Sequence, residues 1–305
     1  FFEYSLDDVS GDIDGLAAKI IRECGVADSL KRDMIKSCPI ADEPLTKSFE
    51  RKNDLGDFTD AQLLEACTAI KDAIISKSEN VLNASAILRT LDVNKIFISK
   101  NRSLEQAYTW VNGIMLVNYR ENNKIVGARE GECSHLLGEV LAGMPQKVDK
   151  LVNKAQKLVT AQPIIPGVYD VITDPSVTGL LAHEAFGHGV EMDMFVKDRA
   201  LAKSYMNRQV ASPICNMRDG AGSTLSVASY FFDDDGVLAH DTQIIKNGIL
   251  VSGISDLISA SELGTEPTGN GRRQDHTRKA YSRMTNTFFE RGTDKLEDMI
   301  ASIEH

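Results

Sequence analysis

Apolar and polar positions alternate with two different periods along this chain, and each period predicts a different element. Leu63, Leu64, Cys67, Ile70, Ala73 and Ile74 recur at helical spacing. They follow Thr59-Asp-Ala-Gln62, a capping box in which the two polar side chains satisfy exposed backbone donors. Ile96 and Ile98 alternate as in a strand. Val111 to Tyr119 and Lys124 to Ala128 flank the polar Glu121-Asn-Asn123, which reads as a β-hairpin. Val148, Leu151, Val152, Ala155, Leu158 and Val159 then mark an amphipathic helix. Pro163 and Pro166 end that pattern, and the domain boundary is placed there. Residues 1–161 are expected to form a mixed α/β domain, and residues 162–305 an antiparallel-sheet domain. The expected class is α+β.

The second domain opens on a predicted strand, Val168 to Ile172. Asp174-Pro175 is a helix start, with aspartate as N-cap and proline at the first helical position. That helix should reach about Gly187 and break at Gly187-His188-Gly189. Further strands are expected at Leu225 to Phe232, Val237 to Ile245 and Ile249 to Ile254. Asp233-Asp-Asp-Gly236 is a turn between two of them, and Lys246-Asn-Gly248 is a hairpin signal. Irregular chain follows from Gly264 to Arg283, then a last amphipathic helix from about Asp294.

Composition narrows the function. With 42% hydrophobic and 26% charged residues, the chain is an ordinary globular one. No apolar run approaches the roughly 18 residues of a membrane span. A net charge of −10 argues against direct nucleic-acid contact. Cys24, Cys38, Cys67, Cys133 and Cys215 are scattered and odd in number, which predicts reduced thiols in a cytoplasmic protein. The chain opens on Phe1 rather than Met and is read as cut at both ends.

The chemistry concentrates at His183-Glu184-Ala-Phe-Gly-His188. A hydrolytic zinc site needs neutral imidazoles, an open coordination position and a base beside the bound water. At about 100° per residue, five steps put the two rings roughly 140° apart on a regular helix. The helix must therefore unwind or bulge before His188, and Gly187 and Gly189 permit that. Glu184 and His188, four apart, share a face, so Glu184 could itself be a ligand. A capping or core histidine pair is the plainer alternative.

Gly179-Leu-Leu-Ala-His-Glu-Ala-Phe-Gly-His-Gly189 resembles the signature helix of the TldD/PmbA family of metallopeptidases. Val210-Ala-Ser-Pro213, Asp234-Asp-Gly236 and Asn247-Gly-Ile-Leu250 recur in the family's order. So do Pro267-Thr-Gly-Asn-Gly-Arg-Arg273 and Arg283-Met-Thr-Asn-Thr287. The resemblance covers about Pro163 to Phe288; before that it is one of layout only. It implies a catalytic, TldD-like subunit in which His183 and His188 are zinc ligands and Glu184 is the base that activates water. It also implies a third ligand, a cysteine farther along than His305, and a homologous partner subunit in a heterodimer or homodimer. The implied substrate is a flexible or unfolded polypeptide, with no nucleic acid and no membrane involved. Such a peptide would pair with an exposed strand edge, for which Leu225 to Phe232 and Val237 to Ile245 are candidates. The alternative is a non-catalytic peptide-binding or regulatory subunit.

Other features carry less. Gly269-Asn-Gly-Arg-Arg273 lacks the third glycine and the strand-to-helix setting of a dinucleotide loop. Arg272, Arg273, Arg278, Lys279 and Arg283 make a basic patch in an acidic domain. It is either a solvated loop or a clamp for a peptide carboxylate or acidic partner. Cys215 is a candidate substitute ligand, His135 and His240 read as structural, and His276 is given no role.

Overall fold

The computed structural model describes residues 5–6, 11–29 and 44–303. These divide into two units: one from Lys47–Ile96 and Leu104–Val171, the other from Phe1–Thr46, Phe97–Ser103 and Ile172–His305. The whole is a mixed α and β structure with several sheets. Cys38 lies outside the described residues; Cys67, Cys133 and Cys215 are free thiols.

In order, the chain forms α1 (Ile13–Ser29), β1 (Leu45–Glu50), α2 (Asp60–Ile75), β2 (Val81–Ile98), β3 (Arg102–Glu121) and β4 (Lys124–Ser134). Helices α3 (Leu137–Gln146) and α4 (Val148–Thr160) follow. Helix α1 has no counterpart in the sequence reading. The capping box forms: the Gln62 N–H donates to Thr59 Oγ1, and the Thr59 N–H to Gln62 Oε1. β3 pairs with β1, β2 and β4. It meets β4 antiparallel from Val111↔Ser134 to Glu121↔Lys124, so the expected hairpin forms and runs longer than expected. Asn122 takes a left-handed conformation at the turn, φ 52°.

The apolar side chains of that pattern build one core. Val111, Met115 and Val117 of β3 pack with Ile70 and Ile74 of α2, Val140 and Met144 of α3, and Leu151 and Ala155 of α4. Helix α4 buries Val148, Leu151, Val152, Ala155 and Val159, while Leu158 turns outward. Asp54 caps α3 from outside the helix, accepting the N–H groups of Leu137 and Gly138.

The other unit is built on short strands: β5 (Met217–Asp219), β6 (Thr242–Lys246), β7 (Ile249–Leu250) and β10 (Thr287–Phe289), in the order β10-β5-β6-β7. Helices α5 (Pro175–Leu181), α6 (Met192–Val196), α7 (Leu257–Leu263) and α8 (Leu296–Ser302) accompany them, with a ladder of β8 (Gly271–Arg272) and β9 (Tyr281–Ser282). The β6–β7 hairpin turns on Asn247 and Gly248, both at positive φ, as the sequence signal requires.

Four predicted strands need correction, and of Ile249 to Ile254 only Ile249–Leu250 is a strand. Val168 to Ile172 is irregular, and Val168 is fully exposed; a strand without a hydrogen-bonding neighbour gains nothing over solvated chain. Leu225 to Phe232 is turns and irregular chain, with Ser229 Oγ donating to the Thr224 carbonyl. Of Val237 to Ile245, only the part from Thr242 lies in a strand. The first of the two proposed peptide-pairing edges is therefore absent and the second is shortened.

Met217, Ile244, Ile245, Leu250 and Ile254 form the second core, and Ala182 and Val190 of the histidine segment pack into it. Around it runs a buried polar frame. Asp219 Oδ1 accepts from Asn270 Nδ2 at 2.7 Å, and its Oδ2 from the Thr285 N–H at 3.0 Å. Asp256 caps α7, accepting the N–H groups of Ile258 and Ser259, and also accepts from Ser282 Oγ at 2.7 Å.

Candidate functional site

Asp174 caps α5, accepting the Ser176 and Val177 N–H groups at 2.9 and 3.0 Å, with Pro175 behind it. The chain stays regular to Leu181 and then changes winding. Residues Ala182–Gly187 form a π turn, in which the His188 N–H donates to the His183 carbonyl five residues back. A π turn holds one extra residue, so residue i+5 returns above residue i. The local unwinding anticipated from the glycines takes this form. Gly187 has a second reason to lack a side chain, because a Cβ there would overlap the Met284 thioether.

The consequence is convergence. The His183 and His188 rings meet edge to face, with centroids 4.7 Å apart and planes at 85°. Both line a cavity of about 500 Å³. Glu184 is brought near them in sequence but not into this cavity: it is exposed and outside the lining.

Behind His188 stands a residue the sequence reading missed. Glu191 is buried, held by strand-like pairing in which the Ile254 N–H donates to Val190 and the Met192 N–H to Ile254. Its Oε1 lies 3.4 Å from His188 Nδ1, and its Oε2 lies 3.3 Å from Arg283 Nη1. Burial holds the Glu191 carboxyl above its ordinary value; Arg283 and His188 oppose that and Asp193 adds to it. Its place three residues after His188 and its contact with Arg283, 92 residues on, gave no sequence pattern by which to find it.

These donors fit half of a zinc site. Two imidazoles this close can share one ion, and a carboxylate at the far nitrogen of His188 is the usual support for a ligating histidine. A catalytic zinc ordinarily takes three protein ligands. Among the described residues no group of three His, Cys, Asp or Glu side chains is placed to hold an ion. Cys215 does not supply the third: it packs against the second core, and burial pushes its thiol up, away from the thiolate a metal requires.

The other singled-out histidines lie elsewhere. His135 meets Trp110 edge on at 6.3 Å, and the His240 carbonyl accepts the Gly222 N–H. The basic patch does reach the site: Arg272, Arg273, Arg278 and Arg283 line the same cavity as the two histidines. Asp233-Asp-Asp-Gly236 is the expected turn, and it also fixes that patch. Asp233 Oδ2 accepts the Gly271 N–H at 2.8 Å, and Asp234 Oδ2 accepts the Arg273 N–H at 2.7 Å. No helix among the described residues is long and apolar enough to cross a membrane.

Residues 166–305 match the family described as the PmbA/TldA metallopeptidase C-terminal domain. Metalloprotease slr0863 of Synechocystis sp. is 33% identical over 207 residues, 68% of this chain and 45% of that protein. The zinc metalloprotease TldD homolog of Saccharolobus solfataricus is 30% identical over 191 residues, 59% of this chain and 43% of that protein. The chain thus spans less than half the length of these relatives. Among solved structures, TldE from Thermococcus kodakarensis superposes with a TM-score of 0.72 at 18% identity, covering 97% of this chain and 67% of that one. The shared fold, the matched C-terminal region and the named relatives together place the chain in the TldD/PmbA family.

Proposed function

We propose that this chain is a zinc-dependent peptidase subunit acting on flexible or unfolded polypeptides. The observation that carries the reading is the convergence of His183 and His188 across the π turn. Relatives named as metalloproteases, one of them as a zinc metalloprotease, support it. When bound, zinc would supply a Lewis acid for the scissile carbonyl and lower the pKa of water. His183 and His188 would hold the ion through ring nitrogens, with the Glu191 carboxylate facing His188 Nδ1 as its support. Glu184, exposed beside His183 on the π turn, would take a proton from the attacking water and deliver it to the leaving amine. A third ligand would complete the site, and the resemblance implies a homologous partner, in a heterodimer or homodimer, and a cytoplasmic setting.

Glu184→Ala tests the assignment. It is expected to abolish cleavage of an unstructured peptide while leaving zinc bound; unchanged turnover would remove Glu184 from the reaction. The two-histidine donor set also supports a second reading, a non-catalytic peptide-binding or regulatory subunit. Peptide binding by wild type without any turnover selects that reading.

A further inference from the structure

Building on the peptidase reading, we propose that the cavity beside the two histidines is a carboxylate-recognition subsite, with Arg278 as its binding residue. Four guanidinium groups line it, from Arg272, Arg273, Arg278 and Arg283; Glu191 is the one carboxylate in the lining, with Asp193 4.0 Å from Arg283. The chain as a whole carries −10, so this local excess runs against its overall charge. A merely solvated loop would spread such groups into water. Here they line one half-open cavity of about 500 Å³ next to the imidazoles.

Three of the four are engaged in holding the wall. Arg283 Nη1 lies against Glu191, with its guanidinium 5.1 Å from the Tyr281 ring centre. Arg272 Nη1 donates to the Met284 carbonyl at 2.6 Å, and Arg273 Nη1 to the Arg278 carbonyl at 2.6 Å. The backbone beneath them is pinned by Asp233 and Asp234. Arg278 differs: it is exposed, lines the cavity, and has no carboxylate oxygen within ion-pair distance among the described residues. Its backbone is fixed at both ends, since its N–H donates to the Asp275 carbonyl and its own carbonyl accepts from Arg273. A planar fork on a fixed mount suits a carboxylate bidentately, and binding one offsets the repulsion among crowded guanidinium groups. A peptide offers that group at its C-terminus or on an Asp or Glu side chain.

Fluorescence anisotropy can test this on the full chain carrying Glu184→Ala and stripped with EDTA, so that binding is read without cleavage. Three labelled probes are compared: an unstructured peptide with one Asp and a free C-terminus, its C-terminal amide, and its Asp-to-Asn counterpart. The expected result is that one neutralised probe binds about tenfold more weakly, as loss of one charge-assisted pair implies. The amide arm identifies the C-terminus as the source, and the Asn arm the side chain. Arg278→Gln should erase that difference, and Arg278→Lys should retain part of it. Equal affinity for all three probes, no binding of any, or undiminished discrimination in Arg278→Gln would overturn the proposal. A wild-type chain that never cleaves leaves this binding difference intact, so failure of the peptidase reading is separable from failure here.

Discussion

Asp233 sits at 1% exposure with three backbone N–H groups aimed at it, from Asp235, Val237 and Gly271. Burial, with Asp235 beside it, pushes its carboxyl up to about 8, although those donors pull the other way. The folded chain thus keeps a proton that the unfolded chain releases near pH 4. The stabilisation this gives is complete below that value and is lost as pH rises towards 8. Wild type should therefore lose stability relative to Asp233→Asn between pH 5 and pH 8, read as a falling urea midpoint; parallel profiles would contradict it. Glu191 invites a second test, of ligand support. Glu191→Ala should weaken zinc binding by roughly 10- to 100-fold, measured by competition with a chelating dye. Neither role was legible in the sequence. The turn at Asp233 was readable from local composition, but its partner Gly271 is 38 residues away, and no spacing rule reaches that far.

Among elements, those whose stability is local were legible. The capping box, the α4 stripe, the β3–β4 hairpin, the Asp174 cap and the Asn247-Gly248 turn are all written within a few residues. The strands Val168 to Ile172 and Leu225 to Phe232 failed for the opposite reason. Alternating or apolar residues suit a sheet, but only a neighbouring strand makes one. The π turn lies between these cases. The incompatibility of His183 and His188 with a regular helix was arithmetic, and the adjacent glycines supplied the means; the i+5 hydrogen bond is what the structure adds. Two substitutions probe these elements. Gly248→Ala places a Cβ at φ 78° against the Ala211 and Ser212 carbonyls, and should cost about 1–3 kcal/mol in chemical denaturation. Asp174→Ala leaves the Ser176 and Val177 N–H groups without their acceptor and should cost about 1 kcal/mol. A neutral result for either would mean that the turn or cap is not what holds the segment.

For the molecule as a whole, the two units carry different kinds of information. Lys47–Ile96 with Leu104–Val171 is a helix-covered sheet whose apolar pattern explains it without reference to chemistry. The unit containing residues 172–305 has little regular sheet and is held by buried aspartates and asparagines, each tied to distant loops. The blocks that mark the family belong to that frame: Asn270 and Thr285 anchor Asp219, and Arg283 braces Glu191 behind His188. Within these motifs, Asn270, Thr285 and Arg283 make contacts that brace the frame and the candidate site. In the proposed function, the π turn makes one metal site of two histidines. Its most direct test is the zinc content of the purified chain and of His183→Ala, by mass spectrometry. The wild type should carry near-stoichiometric zinc, and the variant should lose it. Zinc retained in His183→Ala, or absent from both, would contradict it.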